Sequence, residues 1–177
     1  ALALYLLWRT GFRPAAIGLG RFQWRPDLLG GLGLAALIGL PGLGLYVAGR
    51  ALGIGVDVVP STLGDTWWRI PVLLLMAFAN AWAEEIIVVG FLLTRLRQLD
   101  VSPTKALGLS ALLRGCYHLY QGFGAGLGNI VMGLVFGYTW RRTGRLWPLI
   151  IGHGVIDAVA FVGYALAARH LGWLHSP

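Results

Sequence analysis

Two stretches of this chain, residues 28–47 and 70–93, are mostly apolar over about the 20 residues that a helix needs to cross a bilayer, and residues 147–168 form a third. Runs of this kind leave few folds open, because every backbone N–H and C=O inside lipid must find its partner within the chain. Between them lie two shorter apolar segments, residues 106–120 and 127–140, each roughly 21 Å long at helical rise and separated by the glycine-rich turn 121–126. The pattern predicts an all-α, polytopic transmembrane bundle of about five to six helices in a single domain over residues 1–177. The chain opens inside an apolar run, residues 1–8, with no initiator Met, and so reads as an N-terminally truncated piece lacking an earlier helix. Residues 9–27 interleave Arg9, Arg13, Arg21 and Arg25 with Phe12, Phe22 and Trp24, which predicts an interfacial amphipathic segment.

Composition agrees. Hydrophobic residues make up 57 % of the chain and charged residues 12 %, roughly half the charged share of a soluble domain. The net charge of +7 would suit nucleic acid, but its distribution argues for a membrane instead. Arg95, Arg97 and Lys105 lie in loop 94–105, and Arg141, Arg142 and Arg145 in loop 141–146. The alternate loops differ: 48–69 offsets Arg50 and Arg69 with Asp57 and Asp65, and 121–126 is uncharged. Every second loop is therefore basic, which assigns those loops to the cytoplasm and makes the lipid bilayer, not nucleic acid, the partner of this charge. The single Cys116 rules out an intramolecular disulfide. Trp67 and Trp68 fit an interfacial belt, and His170 and His175 a solvated tail.

Within the apolar segments stand Glu84, Glu85, Arg114, His118, His153 and Asp157. Charge in a bilayer is costly, so such residues face a bundle interior and carry function. Counted from the basic ends of their helices, Glu84 lies roughly 13 Å deep, His118 roughly 18 Å, and His153 and Asp157 roughly 9 and 15 Å. These levels overlap and predict one polar layer in the cytoplasmic half of the membrane. His153 and Asp157 are spaced i, i+4, as are Arg114 and His118, so each pair shares a helix face. Glu84 and Glu85 are adjacent; one can face a substrate while the other braces the site. Gly115, Gly122, Gly133 and Gly137 would let helices approach closely.

A carboxylate held beside an imidazole can take a proton from water. A second imidazole with a polar carboxyl or amide can stabilise an oxyanion. Alternatively, His118, His153 and Glu84 could bind Zn²⁺ with one position open. No Ser or Thr is placed as a nucleophile, and Cys116 lies on a different helix face from His118. Tyr117, Tyr120 and Gln121 fit either a cavity lining or an interface, and Asn129 is expected to hydrogen-bond between helices.

Ala83-Glu84-Glu85-Ile86-Ile87-Val88-Val89-Gly90-Phe91 resembles the first motif, EExxxR followed by Gly, of the CAAX-processing and bacteriocin-related (CPBP or Abi) intramembrane proteases. Arg114-Gly115-Cys116-Tyr117-His118 resembles the second motif, FxxxH, and His153-Gly154-Val155-Ile156-Asp157 the third, HxxxN or HxxxD. The likeness covers about residues 70–165, the expected protease core. It implies an intramembrane endopeptidase that cleaves a membrane-associated peptide or protein. Glu84 would activate water with His118, while His153 and Asp157 stabilise the oxyanion, with no cofactor or with zinc as the alternative. Two positions depart from the pattern: Val89 replaces the motif arginine and Arg114 the motif Phe. In the family that arginine lies i+4 from the second glutamate, an ion-pair spacing. Antiparallel helices with Glu84 facing His118 would bring Arg114 level with position 88 or 89, so Arg114 is expected to pair with Glu85 from the facing helix, Arg114 and Tyr117 then supporting the site. Two other functions stay open on these residues. Val89 allows an inactive family member serving as a scaffold or regulator. Intramembrane Glu and His also build proton-coupled transporters, although neither paired repeats nor broken helices are evident.

Overall fold

A computed structural model describes Tyr5 and residues 8–11, 13–52 and 66–167. Phe12, Asp57, Asp65, His170 and His175 lie outside the described residues. All regular structure among the described residues is helical. A 3-10 turn at Pro14–Ile17 precedes helix α1, Trp24–Ala51. Helix α2 is Arg69–Gln98. Helix α3 is Pro103–Tyr117, α4 is Phe123–Thr143 and α5 is Trp147–Ala167, with a second 3-10 turn at Leu119–Gln121.

Three described helices are long and apolar enough to cross a membrane: Trp24–Gly49 with 26 residues, Arg69–Gln98 with 30 and Trp147–Leu166 with 20. They coincide with the three long apolar runs of the sequence, so among the described residues three spans, rather than five or six, meet that measure. Helices α3 and α4 complete the bundle. The α4 helix reaches 21 residues, longer than its apolar run, because the turn before it is short. Pro103 opens α3, where its missing N–H costs nothing.

Helix α5 packs against both α1 and α2, while α3 packs against α4. Ile86, Val89 and Leu93 of α2, Met132, Phe136 and Trp140 of α4, and Leu149 and Ile150 of α5 share one core with Leu34 and Ile17. Ile17 belongs to the segment expected to lie on the membrane surface; it is buried, while most of that segment is exposed. The Trp140 indole donates to the Ile17 carbonyl at 2.9 Å, and the Trp147 indole to the Gly20 carbonyl at 2.9 Å. The Leu146 N–H donates to the Gly18 carbonyl at 2.9 Å. Residues 14–23 thus form a strap across the start of α5, and α1 begins at Trp24, inside the expected interfacial segment. Arg145 holds the strap's end: its guanidinium meets the fully buried Asp27 through two bonds of 2.7 and 2.6 Å. A bidentate Arg–carboxylate pair of this kind adds geometric specificity to charge attraction.

The glycines expected at helix contacts divide. A Cβ on Gly133 would stand 2.9 Å from the Ala111 Cα, and one on Gly115 would stand 2.8 Å from the Gly126 carbonyl oxygen. These are backbone obstacles that cannot rotate away, so α3 and α4 approach closely only with glycine there. Gly122 instead serves the turn before α4, with φ 105°. Asn129, expected to bond between helices, donates to the Ala125 carbonyl of its own helix at 3.0 Å.

Gly133→Leu should force α3 and α4 apart and destabilise the bundle by about 1–3 kcal/mol, read as a lowered unfolding midpoint in detergent micelles. An unchanged midpoint would contradict the close-approach assignment.

Candidate active site

Helix α2 changes its winding where the two glutamates stand. Residues Arg69–Glu84 are α-helical, Glu85–Phe91 form seven residues of π-helix, and Leu92–Gln98 return to α-helix. A π stretch inside an α-helix is rare and often marks a functional site. Two hydroxyls bond carbonyls of this stretch. Ser110 of α3 donates from Oγ to the Val88 carbonyl at 2.7 Å, and Thr94 donates to the Gly90 carbonyl at 2.6 Å. Both hydroxyl residues are buried.

The two glutamates take different surroundings. Glu85 is fully buried and forms an ion pair with the equally buried Arg114 of α3. The expected pairing across the facing helices is therefore present, and Val89 is simply a buried core residue. Glu85 Oε1 also lies 2.8 Å from His153 Nδ1. Arg114 Nη2 stands 3.5 Å from the same His153 nitrogen and 3.6 Å from Glu84 Oε2. One guanidinium thus reaches both glutamates. Its charge also lies 5.9 Å from the centre of the Phe136 ring, within cation–π range.

Glu84 keeps 17 % of its side chain exposed. Its Oε2 accepts a hydrogen bond from the Tyr117 hydroxyl at 2.7 Å, while Oε1 faces His118 Nε2 at 4.0 Å. His118 stands immediately after the last residue of α3, and its Nδ1 lies 2.9 Å from the Arg114 carbonyl oxygen. A carbonyl only accepts, so Nδ1 carries the proton in that bond and leaves the Nε2 lone pair toward Glu84. Tyr117 also packs on the His118 ring, with centroids 4.6 Å apart.

His153 Nε2 points the other way, 3.5 Å from Asp157 Oδ2 across the i, i+4 spacing. Asp157 Oδ2 accepts from Asn80 Nδ2 at 3.1 Å. Helices α2, α3 and α5 thus bring together Glu84, Glu85, Arg114, Tyr117, His118, His153 and Asp157. Three residues in this network, Asn80, Ser110 and Thr94, were not singled out in the sequence. Asn80 carried a legible signal, an amide i, i−4 from Glu84 in an apolar helix. Tyr120 and Gln121 bond to each other at 2.8 Å at an exposed position.

Helix α2 extends to Gln98, beyond its apolar run, which puts Glu84 at its middle rather than nearer the basic end.

The zinc alternative requires His118, His153 and Glu84 to converge. They do not: His153 directs its two nitrogens at Glu85 and Asp157, while only His118 faces Glu84. Among the described residues no group of three or more His, Cys, Asp or Glu side chains is arranged to hold a metal ion.

A family model described as type II CAAX prenyl endopeptidase Rce1-like matches residues 66–159, more than half of the chain. That span holds every residue of the cluster. No curated protein and no solved structure matches the chain. The chain therefore belongs to the Rce1-like type II CAAX prenyl endopeptidase family, which makes it a CAAX-type intramembrane protease acting on a membrane-associated protein.

Proposed function

We propose that Glu84 and His118 activate a water that hydrolyses a peptide bond of a membrane-associated substrate, without a metal ion. The observation carrying this reading is the 4.0 Å gap between Glu84 Oε1 and His118 Nε2. Both atoms are acceptors and stand too far apart for a direct hydrogen bond, a separation that the two O–H donors of one water can bridge. The Tyr117 hydroxyl fixes the other Glu84 oxygen, and the Arg114 carbonyl fixes the His118 tautomer.

Glu84 takes a proton as the water oxygen adds to the scissile carbonyl carbon. The C=O electron pair moves onto oxygen beside His153 and Asp157. On collapse that pair re-forms the C=O bond, the C–N bond breaks, and the leaving nitrogen takes the proton from Glu84. Glu85 and Arg114 take no proton; they hold His153 and the end of α3.

The scaffold alternative rested on Val89, and Arg114 now supplies the cation that Val89 lacks. The protease core is proposed as residues 70–165 of one transmembrane domain. The catalytic face is proposed to open toward the cytoplasm, on the strength of the basic ends carrying Arg95, Arg97, Arg141 and Arg142.

Glu84→Gln should lower cleavage of a farnesylated CAAX peptide by about 10²–10⁴-fold while retaining the wild-type elution profile and unfolding midpoint. Treatment with 1,10-phenanthroline should leave the wild-type rate unchanged. A fully active Glu84→Gln would overturn the role of Glu84, and a chelator loss restored by zinc would overturn the metal-free reading. For topology, a cysteine at Arg142 in a Cys116→Ala background should react with a membrane-impermeant thiol reagent only from the cytoplasmic side; reaction from outside alone would reverse the orientation.

A further inference from the structure

Asp157 stands on the oxyanion side of the proposed reaction with the wrong polarity for that task. A carboxylate only accepts hydrogen bonds, and its charge repels a developing oxyanion. The nearest donor that the structure ties to it is an amide. Asn80 Nδ2 donates to Asp157 Oδ2 at 3.1 Å. The amide nitrogen carries two N–H donors, and Asp157 takes one. Asn80 also precedes Glu84 by one turn, so both side chains project from the same face of α2. Asn80 is exposed on that helix, and an amide in an apolar span is costly unless something accepts from it.

We propose that Asn80 is the oxyanion donor of this site and that Asp157 is the positioning residue that holds the Asn80 amide and the His153 ring. The proposal rests on the hydrolytic reading above. As the water oxygen adds to the carbonyl carbon, the second Asn80 N–H donates to the oxygen receiving the C=O electron pair. That bond is strongest at the tetrahedral stage and weakens as C–N cleavage restores the carbonyl. The Asn80 amide keeps its own protons throughout, and no further reactant is needed.

The test uses the full chain in liposomes with a farnesylated CAAX peptide carrying a fluorophore and quencher. Asn80→Ala and the near-isosteric Asn80→Asp should each lower kcat by about 100-fold or more, with KM within about threefold of wild type. The exchange Asn80→Asp with Asp157→Asn moves the amide to position 157 and leaves an acceptor-only carboxylate at the donor position, so it should recover none of the loss in Asn80→Asp. Unfolding midpoints of all variants separate catalysis from folding; Asn80→Ala covers the case in which Asn80→Asp does not fold. Retained kcat in Asn80→Ala, or recovery in the exchange, overturns the donor role while leaving Glu84 chemistry intact. A wild-type protein that does not cleave the peptide overturns the hydrolytic reading itself, and this proposal with it.

Discussion

Neither Glu85 nor Arg114 could occupy its place alone. Both are fully buried inside a helical bundle built for lipid, where an isolated charge is costly and a paired one is tolerated only with good geometry and further hydrogen bonds. The rest of the site hangs from this pair. Glu85 also holds His153 Nδ1, and the backbone carbonyl of Arg114 holds His118 Nδ1. One histidine is thus oriented through the acid's side chain and the other through the base's main chain. Three helices, α2, α3 and α5, are tied at one level by a single ion pair and its neighbours.

The pair depends in turn on the local winding of α2. In a regular α-helix adjacent residues diverge by about 100°, which would aim Glu84 and Glu85 at different surroundings. The π stretch starting at Glu85 widens the turn, and Arg114 reaches both carboxylates. Ser110 secures this geometry by bonding the Val88 carbonyl one turn before Arg114 on α3. The same helix that supplies the cation therefore also stabilises the distortion that the cation needs. Glu85 becomes the buried brace, and Glu84 is left facing His118.

Much of this was legible in the chain because apolar spans make polar residues conspicuous. The three long helices follow from their runs of hydrophobic residues, and the ionisable cluster follows from its rarity within them. The transfer of the arginine from position 89 to 114 could be anticipated because antiparallel helices set Arg114 level with the vacated turn. The π stretch could not, since no side-chain period announces seven residues of altered winding. Ser110 looks like an ordinary helix hydroxyl until the Val88 carbonyl of the facing helix is seen beside it, and Thr94 bonds the Gly90 carbonyl one turn back on its own helix. Asn80 escaped a search for charge because it carries none. Residues 14–23 carry a mixture of arginine and aromatics that suits an interface, and most of them are exposed, but the sequence does not show that two indole N–H groups and a backbone N–H also draw that segment onto the bundle. Asn129 is expected to bond across helices, but its amide reaches the Ala125 carbonyl one turn back in its own helix.

The central claim is that Glu85 and Arg114 act as one unit, and a double-mutant cycle on unfolding in detergent tests it most directly. Arg114→Met alone leaves a buried carboxylate unpaired and should cost about 3–5 kcal/mol. Adding Glu85→Leu removes that stranded charge, so the double variant should be more stable than Arg114→Met, a non-additivity expected only of residues in contact. Losses that simply add would contradict the account, because they would mean that the two charges are stabilised independently of one another.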